Sequence, residues 1–284
     1  MVRSTLATRE AIETAESHRL AQREISDASP NELVFRAWWM TYDSTFEGAM
    51  KAKALCEKAI AAAPKLASAL WCKAMMIVES LDLRPSPVRA QLAAEADNLT
   101  RQAIALDPYD ALAWRYRGEA LRLLHQWDLA LEANEKAIQL DPSRQSNLNF
   151  RGLYMVFTGR PEAALPLVER SMKISPGNSG ADERVACRAY ISLGRFKDAV
   201  AACERSVVVD EWWSVNLYLA VAYAQVGEEK KAAAEVKKAM ARKPEATIAW
   251  YRGLMSQFTD SALYWEQHDA FFEPGLRKAG LPEK

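Results

Sequence analysis

The chain has 284 residues, half of them hydrophobic, with 37 basic and 37 acidic side chains and a formal charge of zero. That length and apolar content support a sizeable core, and the balanced charge argues against a general nucleic-acid or anionic-membrane binder, which would carry a basic excess. The longest apolar run, Leu217 to Ala224, is eight residues and far short of a bilayer span. The opening MVRSTLATREAIE has no apolar signal core, so a cytoplasmic protein is expected.

In chain order, residues 5–26 read as a charged, moderately amphipathic helix, and 1–30 are expected to form an N-terminal cap. Ser29-Pro30-Asn31-Glu32 supplies a capping box with proline at the first helical position. From there the dominant signal is a period. Pro108, Pro142 and Pro176 are 34 residues apart and Pro244 lies 68 further on, closing the phrases ALDP, QLDP, KISP and ARKP. Gly118 and Gly152 share the spacing of 34, as do Ala96, Ala130 and Ala164, and Ala103, Ala137 and Ser171. Independent residue types on one period define a repeat array.

Each repeat reads as two helices closed by the proline, which lacks an N–H and disfavours helical geometry before it. Small residues at the repeated positions let helix backbones approach, while large residues of the neighbour fill the remaining volume. Repeat one covers about 31–64, with Ala52 and Ala59 in its second helix. Repeat two, 67–108, holds ten extra residues near LDLRPSPVR, where Ser86 is expected to cap and Pro87 to start a lengthened second helix. Repeats three and four, 111–142 and 145–176, are the most regular. Repeats five and six cover about 179–211 and 213–244, and a further first helix comes after them at 247–257. His125–Gln126, Gly159, Gly194 and Gly227 mark the turns within repeats. The array is taken as 31–258, and 259–284 as a C-terminal capping helix and tail with Tyr264, His268, Phe271 and Phe272 on one face.

The Trp114-x3-Gly118 spacing, the Ala130/Ala137 pair, the terminal Asp-Pro and the 34-residue period resemble the tetratricopeptide repeat (TPR). The resemblance implies an all-α, right-handed helical solenoid of about six repeats with N- and C-terminal capping helices. It also implies that first helices line a concave face. The groove residues carried over on that basis are Trp71, Arg115, Tyr116, Arg122, Asn149, Phe150, Arg184, Arg188, Tyr218 and Tyr251. They suggest an aromatic floor flanked by arginines, suited to an extended or helical protein segment with acidic groups. The alternative is that Tyr116, Phe150 and Tyr218 are core between repeats and that the arginines pair with neighbours such as Glu119. A clamp for a terminal carboxylate is disfavoured, because Glu119 and Phe150 stand where that family's chaperone binders carry asparagine. Trp212–Trp213 between repeats is either an exposed anchor or packed on the next helix.

Two segments, ESHRLAQREISDASPNELVFRAWWM (16–40) and PGLRKAGLPEK (274–284), resemble the TPR regions of bacterial class III adenylate/guanylate cyclases and related winged-helix regulators. No stretch here reads as a catalytic or DNA-binding domain of those relatives.

Phosphate loops, dinucleotide fingerprints, HExxH and GxSxG are missing from the sequence. No catalytic residue, metal site or cofactor is expected. Cys56, Cys72, Cys187 and Cys203 lie in Ala-rich helical stretches and read as small buried thiols. The function expected is a non-catalytic scaffold that binds a protein or peptide in bacterial signalling or regulation, with no direct nucleic-acid or membrane partner. The alternatives are a self-associating regulatory module for an absent effector domain, and an enzyme or small-ligand binder.

Overall fold

A computed structural model describes residues 28–40, 46–83, 88–176, 179–209 and 213–284. Among them every regular element is helical. The expected helix at 5–26, Ser86, Pro87 and Trp212 lie outside the described residues. The chain divides into two compact bodies, Met1–Asn147 and Leu148–Lys284.

The first body contains α1 (Pro30–Trp39), α2 (Phe46–Ala62), α3 (Ala67–Leu83), α4 (Arg89–Leu106), α5 (Ala111–Leu123) and α6 (Trp127–Leu140). It ends within α7 (Gln145–Phe157). The second body continues through α8 (Pro161–Ile174), α9 (Gly180–Ser192), α10 (Phe196–Val209), α11 (Trp213–Gln225), α12 (Glu229–Arg242) and α13 (Ile248–Met255). Last come α14 (Ala262–Gln267), one π-helical turn (His268–Phe272) and α15 (Glu273–Ala279).

Helix ends obey the local chemistry. Ser29 and Glu32 form the expected reciprocal box at α1, with Pro30 in its first turn. Asp110 caps α5 by accepting from the N–H groups of Leu112 and Ala113. Asp107, Asp141, Ser175 and Lys243, each just before a proline, have left the helix for φ between −133° and −140°. The turns inside repeats share one geometry. Gln126, Arg160, Arg195 and Glu228 donate their N–H to the carbonyls of Leu121, Met155, Tyr190 and Tyr223, five residues back. The preceding residue is left-handed each time: Gly159, Gly194 and Gly227 at φ 73°, 67° and 86°, and His125 at φ 58°. This is the helix stop for which glycine is suited and a side chain is strained.

Ala96, Ala103, Ala130, Ala137, Ala164 and Ser171 are all fully buried, as the period requires. A Cβ on Gly152 would lie 3.0 Å from Val168 and 3.4 Å from Val185, so α7, α8 and α9 meet there without room for a methyl. In the first body Leu33, Val34, Leu55, Leu70, Trp71, Met75 and Tyr116 fill the space between such contacts. The surplus of repeat two lengthens both of its helices: α3 has 17 residues and α4 has 18, against 13 and 14 in α5 and α6. No helix among the described residues is long and apolar enough to cross a membrane.

The cysteines correct the reading as thiols. Cys56 of α2 is bonded to Cys72 of α3 and Cys187 of α9 to Cys203 of α10, with Cα–Cα distances of 5.7 and 5.2 Å. Each pair is 16 residues apart and spans a helix–turn–helix, where small positions on antiparallel helices come face to face. A buried small residue and half of a cross-link occupy the same site, so composition alone did not separate them.

Closing a loop of this size restricts the unfolded chain by about 3 kcal/mol. Reduction with dithiothreitol should therefore lower the denaturant midpoint, and superimposable titrations with and without reductant would contradict the pairing. Replacing His125 by Gly is expected to stabilise the chain by about 1 kcal/mol, because it relieves a left-handed non-glycine residue. A lower melting temperature in that variant would show that other contacts of the His125 side chain outweigh the backbone strain.

Candidate functional site

Four of the ten groove residues belong to the first body, and there they are interior. Trp71 stacks on Tyr116 at 5.7 Å, and its indole N–H donates to Asp110 Oδ2 at 2.7 Å. Arg115 lies over the Tyr116 ring at 4.7 Å and donates to its hydroxyl at 3.1 Å. Burial pushes the Tyr116 phenol up to about 12. Arg122 and Glu119, one turn apart on α5, form a 3.0 Å ion pair whose side chains are each 2% exposed. First helices sandwiched between neighbours bury these positions. Reversing Arg122 to Glu would enclose two carboxylates and cost several kcal/mol of stability, so its charge is a structural requirement.

In the second body, Asn149 donates to Asp182 Oδ1 at 2.7 Å and Ser171 donates to Oδ2 at 2.9 Å, a buried polar cross-link of α7, α8 and α9. Phe150 and Arg184 are partly buried. Arg188, Tyr218 and Tyr251 are brought together from α9, α11 and α13. The Arg188 guanidinium lies 4.5 Å from the Phe157 ring centre and 5.1 Å from that of Tyr218. The Tyr251 hydroxyl donates to that of Tyr218 at 3.4 Å.

What lies on this face was not anticipated. The helical stretch of α14, the π turn and α15 runs across it. Leu263 packs on Gly159 at the end of α7, where only a missing side chain leaves room. Gln267 donates to the Gly159 carbonyl at 3.0 Å, and Thr259 donates to that of Phe157 at 2.6 Å. The Tyr264 ring meets that of Phe157 at 6.0 Å, beside Arg188. Phe272 meets Tyr251 at 5.1 Å and Tyr218 at 5.6 Å, and His268 stacks on Tyr251 at 6.2 Å. Gln225, at the end of α11, donates to the Phe271 carbonyl at 2.7 Å. Further along, the Pro282 and Glu283 carbonyls accept from the N–H groups of Ile248 and Ala249.

The inward stripe is Tyr264, His268, Phe272, Leu276 and Ala279, all buried and four or three residues apart. Phe271 departs from the expected common face. It turns aside to pack edge-on against Phe196 at 5.7 Å and over Gly194. At the rim Arg252 pairs with Asp269 and Glu273 and covers the Trp265 ring at 4.8 Å.

Titration reflects this packing. Burial, aided by Arg252, holds the His268 imidazole below its ordinary 6.5, against the opposing pull of Asp269 and Glu273. The hydrogen bond from Arg252 is the main cause holding Asp269 low. Glu273 is also low: burial acts to raise it, but Arg277 and Arg252 together outweigh burial. The ligand atoms of His268, Asp269 and Glu273 lie within 4.8 Å of one another. Two guanidinium groups already neutralise these carboxylates, which disfavours a metal ion there.

No protein-family model matches the chain. Among curated proteins it is 25% identical over 161 residues to anaphase-promoting complex subunit 7 of Dictyostelium discoideum, a match covering 56% of this chain and 27% of that one. The chain thus spans about a quarter of that relative's length. Among solved structures it is similar to the Cut9–Hcn1 hetero-tetramer of the APC/C, with a TM-score of 0.69 at 14% identity over 84% of this chain and 45% of that chain. It is also similar to TTC0263, a TPR protein of Thermus thermophilus, with a TM-score of 0.55 at 16% identity over 68% and 98% of the two chains. These likenesses establish the fold: the chain is a TPR-like helical repeat protein of the all-α solenoid class.

The pH dependence of the C-terminal contact has a definite sign. His268 is favoured neutral when docked, so its contribution is complete above the unperturbed 6.5 and is lost as pH falls below it. The contributions of Asp269 and Glu273 persist to lower pH and fall away below about 4. Between pH 7 and 5 the wild-type melting temperature should therefore drop more than that of His268→Gln. Parallel curves for the two proteins would refute this assignment.

Proposed function

We propose that this chain is a non-catalytic protein-binding scaffold whose first-helix face in residues 148–284 receives a helical segment of a partner. The observation that carries the reading is the face itself. Phe157, Arg188, Tyr218 and Tyr251 form an aromatic floor that accommodates a helix, with Arg252 at its rim placed for acidic side chains. Apolar anchors at helical spacing with charge pairing at the edge are the elements of helix-in-groove recognition. Related arrays supply context: subunit 7 belongs by name to the anaphase-promoting complex, and Cut9 forms a hetero-tetramer with Hcn1.

Buried carboxylates argue for a structural use of charge over catalysis. Asp182 accepts from Asn149 and Ser171, Glu183 from Arg205, and Glu235 from Asn216 and Lys238. The role of regulatory module for a cyclase or winged-helix effector rests on the 16–40 and 274–284 segments. For the latter, burial of Leu276, Ala279 and Leu281 supplies a packing reason for the motif, which favours the scaffold reading. As for location, two cross-links weigh toward an oxidising compartment over the cytoplasm.

Selection of 18-residue peptides from a randomised library on the full chain tests the scaffold. Enrichment of sequences with aromatic residues four apart and acidic residues beside them is expected, with binding lost in Arg252→Glu. A library that yields no specific binder would sink the reading, and binders indifferent to Arg252→Glu would move the site off this face.

A further inference from the structure

We propose that residues 262–279 are a resident ligand: they hold the place of a partner helix on the groove of the second body, so that the chain as it stands is self-occluded. The partner that fits is a helix of the same chemistry, with aromatic residues every fourth position and acidic groups facing Arg252. This rests on the protein-binding reading and adds to it a mechanism by which binding is held off.

Three independent features separate this segment from the repeat helices. First, it lies outside the 34-residue period and crosses first helices of several repeats instead of pairing with one. Its contacts take them in order, from Gly159 at the end of α7, to Gly194 and Phe196 at the α9–α10 turn, to Val221 and Gln225 on α11. An end cap would cover only the last helix pair; this segment covers a face.

Second, its helix is not self-sustaining. The Glu273 N–H donates to the carbonyl of His268, five residues back, and Pro274 and Gly275 come directly after it. A widened turn, a proline without its N–H and a glycine all disfavour an isolated helix, so the helical form depends on the groove. The widened turn also keeps Tyr264 and Phe272 on the same side as Leu276 and Ala279, so the inward stripe survives the irregularity.

Third, its contacts are those of a ligand. Apolar rings fill the floor, Gln225 and Gln267 anchor backbone carbonyls, and Asp269 and Glu273 reach the rim arginine. Gly275 is pressed so closely on α11 that an added Cβ would stand 2.6 Å from Val221 Cγ1. Val221 is fully buried and branched at Cβ, so it cannot swing away. Dissociation of the segment would uncover Arg188, Tyr218 and Tyr251 together. A tethered segment competes at an effective concentration of about millimolar, which an external helix must outbid.

Gly275→Ala separates docking from helix formation, because it raises helix propensity while creating a clash found only in the docked state. A labelled peptide of residues 259–284 is titrated into full-length wild type, Gly275→Ala, and Gly275→Ala with Val221→Ala. The peptide should bind Gly275→Ala at least about tenfold more tightly than wild type. The double variant, in which loss of the Val221 γ-methyls makes room, should return toward wild type. Equal binding to all three proteins, or to none, overturns the proposal.

Hydrogen exchange on the unmodified chain gives a second measurement that needs no variant. Amides of 262–279 are expected to exchange before those of α9 and α11. Exchange of all of them together would show the segment to be part of one cooperative core, and would overturn the proposal equally. Should library selection yield binders while the 259–284 peptide fails, the scaffold reading stands and the resident ligand falls. Should the peptide bind while selection yields nothing, occlusion holds and an external partner does not.

Discussion

Close approach of helix backbones is the constraint on which the rest of this structure depends. Ala96, Ala130 and Ala164 on one register, and Ala103, Ala137 and Ser171 on the next, have no solvent exposure. Wherever two helices meet at such a residue, a larger side chain would force them apart, and dense packing leaves no slack to absorb the change. Gly152 shows the same limit, since a methyl there would stand 3.0 Å from Val168 and 3.4 Å from Val185. The same closeness brings Cys56 to Cys72 and Cys187 to Cys203.

Polar groups inside such narrow interfaces must satisfy one another. Asp182 is held by Asn149 from α7 and Ser171 from α8, and Glu235 of α12 by Asn216 of α11. Each bond ties one helix to the next and fixes their register, since an unpaired buried carboxylate would be costly. This explains how a chain with many charges and a formal balance of zero places several of them indoors. The charges there align helices.

The face made by first helices in the second body has a different character. Its side chains are aromatic and its cation, Arg188, is half-buried between rings of α7 and α11. A surface of this kind is unstable if left to water, because several large rings would be exposed side by side. The stretch from Tyr264 to Ala279 relieves that, and its own irregular helix is in turn shaped by the surface beneath it. Each supplies what the other lacks.

The period of proline, glycine and alanine determined the helical pairs, their boundaries and the small positions between them, because those residues act through local geometry and hard sterics that need no partner. The capping box at Ser29 and the turns at Gly159, Gly194 and Gly227 were legible for the same reason. Tertiary structure alone decided the use of the large side chains. Tyr116 and Trp71 went to the core between repeats while Tyr218 and Tyr251 went beneath Phe272 of the C-terminal segment, although all four hold similar positions within their repeats. It also decided that cysteines sixteen residues apart would bond, and that Tyr264, His268 and Phe272 would lie across earlier repeats. The stripe itself was visible in the sequence; its destination, some hundred residues back along the chain at Gly159, depended on how the repeats stack and on no local signal.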